Sequence, residues 1–204
     1  MKVKICGIKH KEDGLAVAKA GADFIGMVFA PSKRQIDFET AKTITEALKD
    51  YSTKTVGVFV NPTEDEIKKG LESGLDYIQF HGDEPIEVIK QYQDKAIKAF
   101  PSDSEISYKE KFSYPAAYVL IDSPRKEYYG GSGTPFDWEK LPESEIDHER
   151  FALAGGLNPE NIKEAIVKAR PALVDVSSGV ETDGKKDLAK VENFIKIIRG
   201  VDNE

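Results

Sequence analysis

Short runs of β-forming residues recur along this chain, and most are followed by an amphipathic helical stretch. The runs predict strands near Val3–Cys6, Phe24–Phe29, Thr55–Val60, Tyr77–Phe80, Ala96–Phe100, Tyr118–Ile121, Phe151–Leu153 and Leu173–Val176. Val, Ile, Phe and Tyr dominate most of them, with little polar alternation. Near-continuous apolar runs of that length mark strands covered on both faces, as in a parallel sheet. Helices are expected near Lys11–Ala20, Phe38–Asp50, Glu64–Glu72, Pro85–Tyr92, Pro159–Lys168 and Asp187–Arg199. Helical signals between Phe100 and Tyr118 and after Phe136 are weaker.

The boundaries agree with this alternation. Asn61-Pro62-Thr63-Glu64 and Asn158-Pro159-Glu160 read as helix starts, the second with a capping Asn and a Pro in the first turn. Gly21 and Gly74 fall where a left-handed cap would close a helix, and Pro171 breaks another. About eight strand–helix units in roughly 200 residues match the short end of the closed (β/α)8 barrel with parallel strands. An open doubly wound sheet would carry a glycine-rich turn after its first strand. Here that turn is Cys6-Gly7-Ile8-Lys9, without the second and third glycines. The expectation is therefore an α/β chain forming one barrel domain over residues 1–204.

Composition narrows the function. The net charge is −7 and 40% of residues are hydrophobic. An acidic chain lacks the clustered Lys and Arg that phosphate backbones demand, which argues against nucleic acid as a partner. No stretch approaches a membrane span, and the N-terminus lacks a signal-peptide pattern. With a single cysteine, this fits a reducing cytoplasm.

In a parallel barrel, chemistry collects at the C-terminal ends of the strands. Those ends carry Cys6, Arg34, Asn61, His81, Pro101, Asp122, Gly155-Gly156 and Ser177-Ser178-Gly179. Cys6 is either a small buried apolar residue or a reactive thiol at the mouth of the sheet. Asp122 is either a loop-starting cap or a partly desolvated carboxyl suited to general acid work. Arg34 belongs either to a solvated basic loop or to a fork that binds a planar carboxylate. His81 reads as a proton carrier or, preferably, as a hydrogen-bonded wall residue. Gly130-Gly131-Ser132-Gly133, between Tyr128-Tyr129 and Phe136-Asp137-Trp138, reads as a flexible linker or as a loop over a ligand. The glycine turns at Gly155-Gly156 and Ser177-Ser178-Gly179 follow consecutive final strands, where barrels often hold phosphate through backbone N–H groups. His10, His81, His148 and Cys6 share no metal-ligand spacing, so no metal is expected.

Taken together, these segments resemble the phosphoribosylanthranilate isomerase family across nearly the whole chain. The resemblance rests on Lys4-Ile5-Cys6-Gly7-Ile8, Gly21-Ala22-Asp23 with Gly26 and Phe29, and Ser32-Lys33-Arg34. It continues through Gln79-Phe80-His81-Gly82, Leu120-Ile121-Asp122, the Gly130–Gly133 segment with Phe136-Asp137-Trp138, and Leu153-Ala154-Gly155-Gly156-Leu157. It ends on Asp175-Val176-Ser177-Ser178-Gly179-Val180-Glu181. Phe80 stands where Leu is common, and Lys9-His10 where Thr-Arg is common; neither touches a candidate catalytic group.

The resemblance implies a (β/α)8 barrel catalysing an Amadori rearrangement of a phosphorylated aminosugar, a step of tryptophan biosynthesis. It implies Cys6 as general base, Asp122 as general acid, Arg34 facing the anthranilate carboxylate and the last two glycine turns holding phosphate. That chemistry involves no redox or Lewis-acid step, so no cofactor is expected. A monomer and a homodimer both remain open. Two other readings are a related aminoaldose isomerase on the same barrel and a non-catalytic barrel that binds a phosphorylated ligand. For the base to work, Cys6 needs thiolate character, which Arg34 and nearby N–H dipoles would supply.

Overall fold

The computed structural model describes residues 1–124 and 136–201. All the expected strands form, each end within one residue of its expected position: β1 (Lys2–Cys6), β2 (Phe24–Val28), β3 (Lys54–Phe59), β4 (Tyr77–Phe80), β5 (Ala96–Pro101), β6 (Tyr118–Asp122), β7 (Phe151–Leu153) and β8 (Leu173–Val176). They pair in parallel in chain order, and β8 returns to β1 to close a barrel. The closing register sets Lys4 opposite Asp175.

Helices α1 (Lys11–Lys19), α2 (Phe38–Leu48), α3 (Glu64–Glu72), α4 (Ile86–Gln91), α5 (Tyr108–Lys111), α6 (Ile162–Ala169) and α7 (Leu188–Val201) alternate with the strands. Local chemistry fixes several of their starts. The Asp37 carboxylate accepts from the Thr40 N–H at 2.8 Å. Thr63 and Glu66 form a reciprocal capping box at the start of α3. Gly21 and Gly74 take φ of 94° and 93° beyond α1 and α3, a region that costs a side chain strain.

Some local expectations are corrected. The helix expected from Pro159 begins at Ile162. The Asn158 carboxamide oxygen accepts from the N–H groups of Glu160 and Asn161 and holds a separate turn ahead of the helix. At the far end Arg170 itself takes the left-handed cap, with φ 48° and its N–H bonded to the Ile166 carbonyl, so the helix is closed before Pro171 is reached. Among the described residues, only two short 3-10 turns, Trp138–Lys140 and Glu143–Glu145, stand between β6 and β7. A two-stranded hairpin, β9 (Glu181–Thr182) and β10 (Lys185–Lys186), follows β8.

The core has two parts. One lies between strands and helices and holds the outward strand residues, such as Val3, Ile5, Ile25 and Ile121. The other fills the barrel with Phe24, Val56, Ile97, Ala99, Leu120, Ala152, Ala154 and Leu173. At the N-terminal end Phe24 meets Tyr77 and Tyr118 edge-on, with centroids 5.4 and 5.9 Å away. The strands also carry a pattern that their apolar composition hid. Lys4, Gln79, Asp122 and Asp175 are buried polar residues within them. Among the described residues no helix is long and apolar enough to cross a membrane.

The aromatic plug generates a prediction. Phe24→Ala leaves a cavity between two rings that backbone closure holds in place, so it is expected to cost about 3–5 kcal/mol of unfolding free energy. Urea unfolding followed by circular dichroism measures it, and a loss under about 1 kcal/mol would show that the plug does not support the barrel.

Candidate active site

A cavity of about 250 Å³ opens at the C-terminal end of the barrel. It is lined by Cys6, Arg34, Gln79, His81, Asp122 and Asp175, by both glycine turns, and by apolar Val28, Val58, Val60 and Ala154. The structure thus brings the expected thiol and carboxyl to one space. Cys6 is largely buried, at 8% exposure, yet it is not sealed in the core. Asn61 and Pro101 are not among the lining residues. Asn61 instead accepts from the Asp83 N–H at 2.8 Å and braces a neighbouring loop.

Burial pushes the Cys6 thiol above its ordinary range, and Asp175 adds to that. Lys4 opposes the shift most strongly, followed by Lys186. Arg34 and nearby N–H dipoles were expected to favour the thiolate; Arg34 is coupled to it, but Lys4 and Lys186 are the cations that act on it most. Lys4 is fully buried, and its ammonium lies 2.8 Å from the Asp175 Oδ2. Although burial disfavours its charge, Asp175 and Cys6 together hold Lys4 firmly in the ammonium form. Asp175 Oδ1 is buried without a hydrogen-bond partner among the described residues.

Asp122 ends β6 with its carboxyl tied on two sides. Oδ1 accepts from the Ser123 N–H at 2.7 Å, and Oδ2 lies 3.3 Å from His81 Nε2. The other ring nitrogen of His81, Nδ1, lies 3.0 Å from Gln79 Nε2. With the Gln79 amide donating, Nδ1 accepts and Nε2 carries the proton that faces Asp122. His81 is therefore a wall residue bonded to the Asp122 carboxyl. The loop beneath it is locked by Glu84, which accepts from the N–H groups of Asn61 and Gly82 and pairs with Lys98 at 2.7 Å.

Arg34 is partly buried rather than fully solvated, and its fork is already engaged. Nε and Nη2 donate to the two oxygens of Glu181 at 2.8 and 2.7 Å. Lys186 donates to the same carboxylate at 2.7 Å and to the Ser177 carbonyl at 3.0 Å. Burial alone would raise the pKa of Glu181, but hydrogen bonds from Arg34 and Lys186 bring it down to about 2. The Arg34 stem crosses Gly7, where φ is 85° and an added Cβ would sit 2.5 Å from Arg34 Cδ. Gly7 therefore has both a backbone and a packing reason to lack a side chain.

The two glycine turns stand side by side. An added Cβ on Gly179 would collide with the Leu157 carbonyl, so the two backbones approach as closely as atoms allow. The N–H groups of Gly155 and Gly156 make no hydrogen bond among the described residues, while the Gly156 carbonyl is held by the Asn161 amide at 2.9 Å. Ser177 donates its hydroxyl to the Cys6 carbonyl at 3.1 Å, linking this rim to the end of β1. Ser178 and Gly179 also line the cavity. Gly130 and Gly131 lie outside the described residues. Sequence reasoning gave no role to Lys4, Gln79, Asp175, Glu181 or Lys186. Period-two alternation within β1, β4 and β8 was the available signal for the first three.

Comparison with known proteins agrees with this geometry. Residues 3–197 match the family model described as N-(5'phosphoribosyl)anthranilate (PRA) isomerase. An N-(5'-phosphoribosyl)anthranilate isomerase of Listeria monocytogenes serotype 4b (strain F2365) is 45% identical over 203 residues, covering 99% of this chain and 100% of the relative. The crystal structure of phosphoribosyl anthranilate isomerase from Thermotoga maritima is 39% identical, with a TM-score of 0.86, and the match covers 98% of this chain and 99% of that one. A phosphoribosyl anthranilate isomerase solved in complex with reduced 1-(o-carboxyphenylamino)-1-deoxyribulose 5-phosphate is 37% identical, with a TM-score of 0.83 over 98% of this chain and 99% of that one. A (β/α)8 barrel with these groups on its rim, matched over nearly its full length, belongs to the phosphoribosylanthranilate isomerase family.

Proposed function

We propose that this cavity performs the Amadori rearrangement of N-(5-phosphoribosyl)anthranilate to 1-(2-carboxyphenylamino)-1-deoxyribulose 5-phosphate, with Asp122 as acid and Cys6 as base. One observation carries this reading: the only thiol of the chain and the Asp122 carboxyl line the same cavity, beneath paired glycine turns. The phosphorylated ligand named for the 37%-identical relative supports it.

The chemistry follows from the neighbours of each group. Asp122 protonates the furanose ring oxygen, the ring opens, and the anilino nitrogen forms an iminium at C1′. The carboxylate left behind is stabilised by the Ser123 N–H and the His81 ring. The iminium acidifies the C2′ hydrogen, and the Cys6 thiolate removes it. The enolamine then becomes the ketone by losing its hydroxyl proton and gaining one at C1′. Solvent returns one proton to Asp122 and takes one from Cys6, so the cycle closes. The phosphate sits against the turns at Gly155-Gly156 and Ser177-Ser178-Gly179, where the Gly155 and Gly156 N–H groups, unpaired among the described residues, suit an anion. Because Arg34 spends Nε and one Nη2 hydrogen on Glu181, it meets the anthranilate carboxylate end-on through Nη1 and the remaining Nη2 hydrogen.

Replacing the acid or the base tests the assignment. Cys6→Ser and Asp122→Asn are each expected to fold and bind but to lose about 10²–10⁴-fold in kcat, read from the fluorescence change as the anthranilate substrate is consumed. Near-normal turnover in Cys6→Ser would exclude the thiol as base. Offering the aminoaldose phosphate of histidine biosynthesis alongside separates the related isomerase reading, and no turnover of either substrate would leave a binding barrel.

Glu181 gives a second test. Glu181→Gln removes the charge that aims Arg34, so KM is expected to rise about tenfold, ~1.4 kcal/mol, with kcat little changed. The same residue sets a pH dependence. Its carboxyl titrates near 2 in the fold, below its unfolded value, so its ion pairs stabilise the protein at neutral pH and that contribution is lost as pH falls toward 2. Denaturant midpoints measured from neutral to acid pH should fall less steeply in Glu181→Gln than in the parent; identical slopes would contradict the depressed value.

A further inference from the structure

We infer that Lys4 is a positioning residue for the reaction: its ammonium, anchored from below by Asp175, is the fixed positive charge against which the Cys6 thiolate forms. This rests on Cys6 being the base, as proposed above.

Geometry carries the inference. Lys4 and Cys6 are alternate residues of one strand, so both side chains point to the same face of β1. That face is the barrel interior, because Cys6 lines the cavity and Lys4 meets Asp175, which lines it too. Gly26 of the adjacent strand leaves the space in which they meet. A Cβ placed there would lie 2.7 Å from Cys6 Sγ and 3.0 Å from Lys4 Nζ, so sulfur and ammonium flank one small void. Any side chain at this position would part them. Lys4 is 0% exposed, so no water competes for its charge, and a charge without solvent acts strongly on its neighbours.

Other charged groups act on the sulfur less directly. Lys186 favours the thiolate and Asp175 opposes it, each more weakly than Lys4. Lys186 is committed to Glu181 and the Ser177 carbonyl. Arg34 is committed to Glu181 and is itself only weakly coupled to the thiol. Asp122 and His81 face one another on the far wall of the cavity. Among the described residues, Lys4 combines complete burial with the strongest electrostatic pull toward the thiolate. Asp175 keeps it charged and, through its position opposite Lys4 in the register, holds it in place.

The chain has one cysteine, so the alkylation rate, and the ultraviolet absorbance difference from the Cys6→Ser protein, report Cys6 alone. Both are measured against pH in the folded protein and in two variants. Lys4→Met is expected to raise the thiol titration midpoint by at least about one unit, a tenfold loss of thiolate at neutral pH. The rising limb of the kcat profile should move with it, and KM should stay within about twofold. Asp175→Asn should shift the thiol midpoint the other way, downward, because the Asn carbonyl still accepts from the ammonium, which the thiolate also keeps charged and which then faces the sulfur without a competing anion. Opposite shifts from two neighbouring substitutions are not what loosened packing produces. If Lys4→Met does not fold, the direction of the Asp175→Asn shift decides alone. A midpoint unchanged in Asp175→Asn, or unchanged in a folded Lys4→Met, overturns the inference even if turnover falls. Activity retained in Cys6→Ser would instead overturn the assignment of the base, which these titrations do not depend on.

Discussion

Where the first and last strands close the barrel, the ammonium of Lys4 meets the carboxylate of Asp175, 171 residues away in the chain. Such a pair is expensive to place in an interior. Desolvating two charges costs several kcal/mol per ion, and the attraction between them offsets that cost only when the geometry is good. Apolar side chains of similar volume would seal the same seam with less difficulty, as Val56, Ile97 and Leu173 do elsewhere inside the barrel. The pair is thus poorly explained by stability. It is well explained by position, since it lies between the apolar plug at Phe24, Tyr77 and Tyr118 and the thiol that opens to the cavity.

The barrel gives Cys6 and Asp122 different surroundings. Cys6 on β1 has cations beneath and beside it, whereas Asp122 on β6 has a histidine ring and a backbone N–H. Only β7 and β8 lie between those strands on the shorter way round the ring. A group that gives a proton and a group that takes one can then face a single ligand without sharing an electrostatic environment. Arg34, Glu181 and Lys186 form a third unit at the rim, and the hairpin β9–β10 exists in part to deliver the last two. Glu181 neutralises much of the rim's positive charge and fixes the guanidinium plane, so that the site is shaped before a ligand arrives.

The sequence displayed the barrel more fully than it displayed the site. Eight strands could be placed because Val, Ile and Phe runs buried on both faces leave a strong apolar signal, and Cys6 and Asp122 could be singled out because they fall at strand ends. Lys4, Gln79 and Asp175 were hidden inside those same runs. A single polar residue in an apolar strand is unremarkable until closure of the barrel shows that its neighbour across the seam carries the opposite charge. Glu181 was hidden for a different reason: its partner Arg34 lies 147 residues earlier, and only the folded rim brings them together. The helix expected at Pro159 began later because Asn158 capped a turn rather than the helix itself, a choice that depends on where the Asn161 side chain reaches.

A second buried ion pair shows what a purely structural one looks like. Lys98 pairs with Glu84 at 2.7 Å and also donates to the Gly82 carbonyl, while Glu84 accepts from the N–H groups of Asn61 and Gly82. Both oxygens of Glu84 are used, and neither residue lines the cavity. Asp175 differs on both counts, because Oδ1 lacks a protein partner among the described residues and the side chain borders the cavity. A partly satisfied buried network is less stable than a complete one or an apolar core. Its cost is tolerable where the open positions meet a reacting molecule, which is where an enzyme departs from the rules that govern the rest of its interior. Of the two lysines buried against carboxylates in the barrel strands, the one beside the thiol is therefore the one whose charge the chemistry can use.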